Sequence, residues 1–286
     1  MNDTAVNWSE LRASAAGKLT LGGDITVNRL GFGAMRITGV GIWGEPRDRD
    51  MALRVLQRAV ELGVNFIDTA DSYGPGTSER LIAEALHPYP PGLVIATKAG
   101  LIRPGPDKWE RDARPEHLRA ACEGSLKRLR IECIDVYQLH APDPKVPFED
   151  SLGELVRLQG AGKIRHIALS NVTVAELERA QRLTQIVSVQ NRYNIEDRTH
   201  EAVLEQCERQ GIAFIPWFPL AAGRHAEHAT SPNSELARIA REQRISVSQA
   251  AIAWLLARSP VILPIPGTST LAHLEENVAA AAVRLG

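Results

Sequence analysis

The feature that most narrows the folds open to this sequence is a repeated change of hydrophobic period. From Leu30 onward, short apolar runs of strand character alternate with segments whose apolar residues recur every three or four positions. The strand-like runs are Arg29-Leu-Gly-Phe-Gly, Asn65-Phe-Ile-Asp, Leu93-Val-Ile-Ala, Ile134-Asp-Val-Tyr-Gln-Leu, Ile164-Arg-His-Ile-Ala-Leu, Ile186-Val-Ser-Val-Gln, Ile212-Ala-Phe-Ile-Pro and Val261-Ile-Leu-Pro. Between them, Ala52, Val55, Leu56, Ala59 and Leu62 make one helical face that Gly63 ends, and Leu152, Leu155 and Val156 make another before Gly160 and Gly162. Helices also fit 114–129, 174–183, 200–210, 246–257 and 270–281. Strand–helix alternation builds a parallel sheet covered by helices, and eight units in about 250 residues is the size of a closed (β/α)8 TIM barrel. An open doubly wound sheet is the second choice. It would favour a Gly-x-Gly-x-x-Gly turn, and Gly31-Phe-Gly33 lacks the third glycine.

Ahead of the barrel, Lys18-Leu-Thr-Leu and Ile25-Thr-Val flank Gly22-Gly23-Asp24, which reads as a β-hairpin. Residues 1–17 read as a flexible polar leader, leaving 18–286 as one barrel domain. The leader has no basic start followed by an apolar run, and no stretch approaches the roughly 20 apolar residues of a membrane span. With 33 basic and 34 acidic side chains, net charge is -1, so no field selects nucleic acid or an anionic membrane. Three cysteines without ligand spacing argue against a zinc site or disulfide framework. A cytoplasmic protein is expected. The two longest non-periodic segments, 34–48 and 100–113, follow strands and should overhang the catalytic mouth.

Polar residues that suit chemistry stand at successive strand ends. Asp68 ends the second strand, Lys98 the third and His140 the fourth, while Tyr73 follows on the second loop. Strand C-termini of a parallel barrel share one rim, so these four converge. Singly, each would more often be structural: Asp68 as a helix cap, Lys98 as its ion-pair partner. Together they divide the tasks of carbonyl reduction, which needs hydride at carbon and a proton at oxygen. A free tyrosine has a pKa of ~10, and lowering it by about three requires roughly 4 kcal/mol. A lysine ammonium about 4 Å away offers ~4 kcal/mol at an effective dielectric of about 20. Lys98 is thus expected to depress Tyr73, with Asp68 holding Lys98 and His140 donating to the substrate oxygen.

From about Lys18 to its end, the chain resembles the aldo-keto reductase family. The resemblance is carried by Gly31-Phe-Gly, Phe66-Ile-Asp-Thr-Ala-Asp-Ser-Tyr-Gly, Thr97-Lys98, Leu139-His140 and Gly162-Lys-Ile-Arg-His-Ile-Ala-Leu-Ser-Asn171. It implies that Asp68, Tyr73, Lys98 and His140 form the family's catalytic tetrad, with Tyr73 as proton donor. It also implies that Ser170, Asn171 and Gln190 bind the nicotinamide carboxamide and that Trp217 stacks on the ring, with core packing as the alternative for the tryptophan. Gly267, Thr268 and Ser269, ahead of a helix N-terminus, would hold the adenosine 2′-phosphate, and Asn277 the adenine. Many NADPH-preferring members carry Lys where Gly267 stands and Arg where His273 stands. Backbone amides, the Thr268 and Ser269 hydroxyls and a distant Arg224 would have to compensate. NADPH is the expected cofactor, with NADH left open.

For substrate, Met35, Trp43, Trp109 and Phe218 are candidates to line an apolar mouth. The chain ends at Gly286, soon after the last helix, without the long C-terminal loop of many members. An open site for planar or bulky aldehydes and ketones is expected. Gly33-Ala-Met-Arg, Gly44-Glu-Pro-Arg-Asp-Arg, Asn171-Val-Thr and Pro266-Gly-Thr-Ser resemble a bacterial branch that includes pyridoxal reductases. The resemblance further implies a monomer acting on a small carbonyl compound. The alternatives are a cofactor-holding redox sensor with slow turnover and, more remotely, a metal-dependent barrel hydrolase.

Overall fold

The structure, a computed structural model, describes residues 12–220 and 234–285. Seven parallel strands line up in chain order: β3 (Phe32–Gly33), β4 (Phe66–Asp68), β5 (Val94–Ala99), β8 (Ile134–Leu139), β9 (Ile164–Ser170), β10 (Ile186–Arg192) and β11 (Ala213–Trp217). The eighth expected strand, 261–264, is reduced to a parallel bridge between Phe214 and Ile262. It still closes the circuit. Phe214 N donates to Val261 O and Leu263 N to Phe214 O, while on the other side Gly31 N donates to Pro264 O, each at 2.9 Å. Pro260, Pro264 and Pro266 deprive this segment of donors, so a regular ladder cannot form there. The result is the expected (β/α)8 barrel.

Helices cover the outside: α1 (Arg49–Glu61), α2 (Thr77–Leu86), α3 (Pro115–Leu129), α4 (Phe148–Gly160), α5 (Val174–Gln181), α6 (Glu201–Gln210), α7 (Glu235–Gln243), α8 (Val247–Arg258) and α9 (Leu271–Ala279). Their ends are locally encoded. Asp48 caps α1 by accepting from Met51 N at 2.8 Å, Thr173 and Glu176 form a reciprocal capping box on α5, and Pro115 opens α3. Helices α2 and α7 were not expected from the sequence. The first turn of α2, Thr77-Ser78-Glu79, is polar yet buried, which blurs its apolar period.

The hairpin of β1 (Lys18–Leu21) and β2 (Ile25–Asn28) forms as expected. Its Leu21, Ile25 and Val27 join Phe66, Val94, Val136, Val187, Ile215 and Leu263 in the cluster that fills the barrel interior. Asp24, at its turn, pairs with Arg165 (2.8 Å) and His166 (2.7 Å) of β9. Of the leader expected over 1–17, residues 12–17 are described. Ala13–Ala16 is a 3-10 turn, with Ala13 buried and its N–H bonded to Leu62 O at 2.9 Å. Segment 100–113 is likewise no plain loop. It is an antiparallel hairpin of β6 (Leu101–Gly105) and β7 (Lys108–Arg111), placed beside the site. No helix among the described residues is long and apolar enough to cross a membrane.

Candidate active site

Register explains why the polar residues meet. Asp68 pairs laterally with Gly33 and Ala96, Lys98 with Gln138, and Gln190 with Ser170, so all sit at similar heights near the strand C-termini. Asp68 is the hub. Its Oδ2 accepts from Lys98 Nζ at 2.7 Å, and its Oδ1 accepts from Gln138 Nε2 at 2.8 Å and Gln190 Nε2 at 2.9 Å. Lys98, wholly buried, also donates to Thr69 O at 2.8 Å and to Tyr73 Oη at 3.4 Å. The expected convergence of Asp68, Tyr73, Lys98 and His140 is present in space.

The electrostatics differ from expectation at Tyr73. Burial raises the phenol above its ordinary value, and although Lys98 pulls it down, Asp68 works against the lysine, leaving the net shift upward. A single cation does not offset the loss of water in an enclosed site. For Lys98, burial disfavours the ammonium, but Asp68 and Tyr73 outweigh it and the pKa rises. His140 is driven well below the usual histidine value, first by burial and then by the Lys98 charge. Its Nδ1 lies 3.4 Å from Ser72 Oγ.

A cavity of about 460 Å³ opens beside this cluster. Asp68, Tyr73, His140, Ser170, Asn171, Gln190, Trp217 and Gly267 face it, as do the substrate candidates Met35, Trp109 and Phe218. Trp43, Thr268, Ser269 and Asn277 are not among its lining. Trp43 lies nearer the guanidinium of Arg103, 5.9 Å from its ring. Asn171 has a left-handed backbone (φ 59°), which asparagine tolerates well, and its side chain bridges the site. Its Nδ2 donates to His140 O at 2.9 Å, and its Oδ1 accepts from Trp217 Nε1 at 3.0 Å, fixing the indole at the rim. Gln190 commits its amide nitrogen to Asp68, and among the described residues its carbonyl oxygen has no hydrogen-bond partner.

Gly267 has a steric reason for its identity. A Cβ there would collide with the Gly33 carbonyl, and one on Gly33 would lie 2.6 Å from Ile265 O. Any side chain at position 267 would have to displace the Gly33 carbonyl at the seam where the barrel closes. Thr270 caps α9 by accepting from His273 N at 3.4 Å, so the helix N-terminus stands beside the 267–269 loop. Arg224 lies outside the described residues. Leu101, Pro219, Leu220, Ile265 and Arg36 also line the cavity and were missed from the sequence. Gln138 was missed too, although it lies near the end of β8, two residues before His140. Among the described residues, no group of three or more His, Cys, Asp or Glu is placed to hold a metal ion.

Comparison with known proteins agrees with this geometry. Residues 29–286 match the sequence profile of the Aldo/keto reductase family. An uncharacterized oxidoreductase of Schizosaccharomyces pombe is 50% identical over 285 residues, covering 100% of this chain and 91% of the relative. Pyridoxine 4-dehydrogenase of Escherichia coli (strain K12) is 42% identical, covering 92% of each chain. A crystal structure of an aldo/keto reductase from Klebsiella pneumoniae in complex with NADP and acetate superimposes with a TM-score of 0.80 at 25% identity, covering 94% of this chain and 91% of that one. With its barrel, its buried Asp–Lys–Tyr–His cluster and this match over most of its length, the chain belongs to the aldo/keto reductase family, oxidoreductases of carbonyl compounds.

Proposed function

We propose that this protein reduces an aldehyde or ketone to an alcohol using NADPH, with Tyr73 as the proton donor. The observation that carries the reading is Lys98 Nζ within reach of both Asp68 (2.7 Å) and Tyr73 Oη (3.4 Å) beneath a cavity walled by aromatic and amide side chains. The residues fit a nicotinamide. Ser170 and Asn171 offer polar groups, the Gln190 carbonyl is uncommitted among the described residues, and the Trp217 ring stands at the wall with its N–H already engaged by Asn171. Gly33 and Gly267 keep the adjoining wall free of side chains. NADPH, when bound, supplies the hydride.

The chain's own groups manage the proton. Tyr73 is protonated in the resting enzyme because burial holds its pKa up. A general acid must begin in that state. As negative charge develops on the substrate oxygen, the phenol proton moves to it, and the phenolate left behind is stabilised by Lys98. Asp68, fixed by two glutamine amides, keeps Lys98 charged and aimed. His140 stays neutral, and in the tautomer whose Nδ1 accepts from Ser72 Oγ its other nitrogen carries a proton toward the same oxygen. The apolar wall of Met35, Leu101, Trp109 and Phe218 favours a planar carbonyl compound, and the E. coli relative named for pyridoxine puts heteroaromatic aldehydes first among those to test.

Titration with NADPH and NADH, followed by turnover on an aldehyde panel that includes pyridoxal, tests the reading. NADPH binding with turnover is expected. Tyr73→Phe should bind NADPH as before and lose ~10²–10⁴-fold in kcat. A near-normal kcat in that variant overturns the assignment of Tyr73. Cofactor binding with negligible turnover across the panel points instead to a redox sensor.

A further inference from the structure

The β6–β7 hairpin carries a buried cation that the proposed chemistry does not use. Arg103 is 8% exposed, yet among the described residues it donates only to backbone carbonyls. Nε reaches Lys108 O at 2.8 Å, Nη2 reaches Gly41 O at 2.7 Å, and Nη1 reaches Ile42 O at 2.8 Å and, more loosely, Ser72 O at 3.4 Å. The guanidinium also lies 3.9 Å from the centre of the Trp109 ring. One side chain therefore joins three segments: the hairpin, the 41–43 loop and the turn that carries Tyr73. Further bonds tie the same segments, with Asp107 N donating to Gly41 O at 3.3 Å and Gly74 N to Ile42 O at 3.2 Å.

The ring held by Arg103 faces the site. Trp109 lines the cavity and meets both Tyr73 and His140 edge to face, each at 6.4 Å between ring centres. It is nevertheless 38% exposed and sits on a two-stranded hairpin whose β7 residues are all exposed. An isolated ribbon of this kind does not hold a side chain rigidly. Stacking plus a fork of donors on neighbouring carbonyls does, and only a planar guanidinium provides both.

We infer that Arg103 is a positioning residue that clamps Trp109 as a fixed wall over Tyr73 and His140, and so selects flat aromatic carbonyl substrates over small aliphatic ones. The inference rests on the proposed reductase activity. Its hold on Ser72 is the loosest of its bonds, so the effect falls on the wall more than on the proton donor. Arg103→Met keeps the stem and removes the donors. Its kcat/KM for benzaldehyde should fall by roughly 10-fold, mainly through KM, while propanal turnover and NADPH affinity stay near wild type. Equal losses for both aldehydes would mark a general structural role and overturn the inference, as would wild-type selectivity. In a Trp109→Leu background the same substitution should add nothing further, since the clamp acts through that ring. An undiminished second loss also overturns it. If Arg103→Met does not fold, Arg103→Lys, with its single ammonium, should shift selectivity in the same direction, and unchanged selectivity counts against the clamp. Should the wild type reduce neither aldehyde, the reductase reading fails separately. Acrylamide quenching of tryptophan emission then still reads the clamp, rising in Arg103→Met only when Trp109 is present.

Discussion

At rest Tyr73 and Lys98 each hold a proton, and their surroundings decide it. The enclosed phenol keeps its proton, and the enclosed ammonium keeps its charge because Asp68 lies 2.7 Å away. His140 is held neutral by burial and by the same lysine. The imidazole should therefore not titrate near its usual value, and kcat/KM for carbonyl reduction should show no inflection at about pH 6.5. A limb there that disappears in His140→Asn would contradict this. Asp71, two residues before the tyrosine, gives a second pH test. The residue keeps some exposure, but among the described residues its Oδ1 is enclosed without a partner, and burial, with Glu79 nearby, lifts the carboxyl to about 8. Unfolded, it ionises near 3.8. Between those values the folded state retains a proton that the unfolded state releases, so stability falls as pH rises. Asp71→Asn removes that titration. Its melting temperature relative to wild type should climb from pH 4 to 8 and level off above, and a constant difference would refute the assignment.

Elements differ in how openly they announce themselves. Helix α1 is written in its spacing and in Gly63, and β8 is written in Ile134-Asp-Val-Tyr-Gln-Leu, because each has a clear period. The β6–β7 hairpin is not, since Arg103-Pro-Gly and Lys108-Trp-Glu-Arg lack the alternation of a half-buried strand. Its order comes from the guanidinium inside it. The eighth strand was legible as an apolar run but not as a prolines-interrupted bridge. That segment also carries Gly267, where a Cβ would meet the Gly33 carbonyl. Gly267→Ala should therefore lower the thermal midpoint and weaken NADPH binding together. A variant that binds and melts like wild type would show that the two backbones can part at little cost.

At the scale of the molecule, closure depends on contacts between residues more than 220 positions apart. Arg29, ahead of β3, donates to Ile262 O at 3.3 Å, Leu256 O at 3.1 Å and Ser259 O at 2.6 Å, latching the first strand to the last. Arg29→Met should cost about 1–3 kcal/mol of stability by stranding these carbonyls, read as a lower denaturant midpoint with kcat retained. No change in midpoint would mean that the Gly31–Pro264 bond and the packing suffice.

The sequence by itself determined the alternation of strand and helix, hence the barrel, and the placing of Asp68, Lys98 and His140 at strand ends. Both follow from local period, and a parallel barrel brings every strand C-terminus to one rim. Tertiary structure alone decided what those groups are electrically. Whether Tyr73 is lowered by its lysine or raised by its burial depends on how much water the packed walls exclude, and that depends on every element around it. The same holds for Arg103 and Gly267, whose roles arise from backbone carbonyls that are remote in the chain and adjacent only once the barrel has closed.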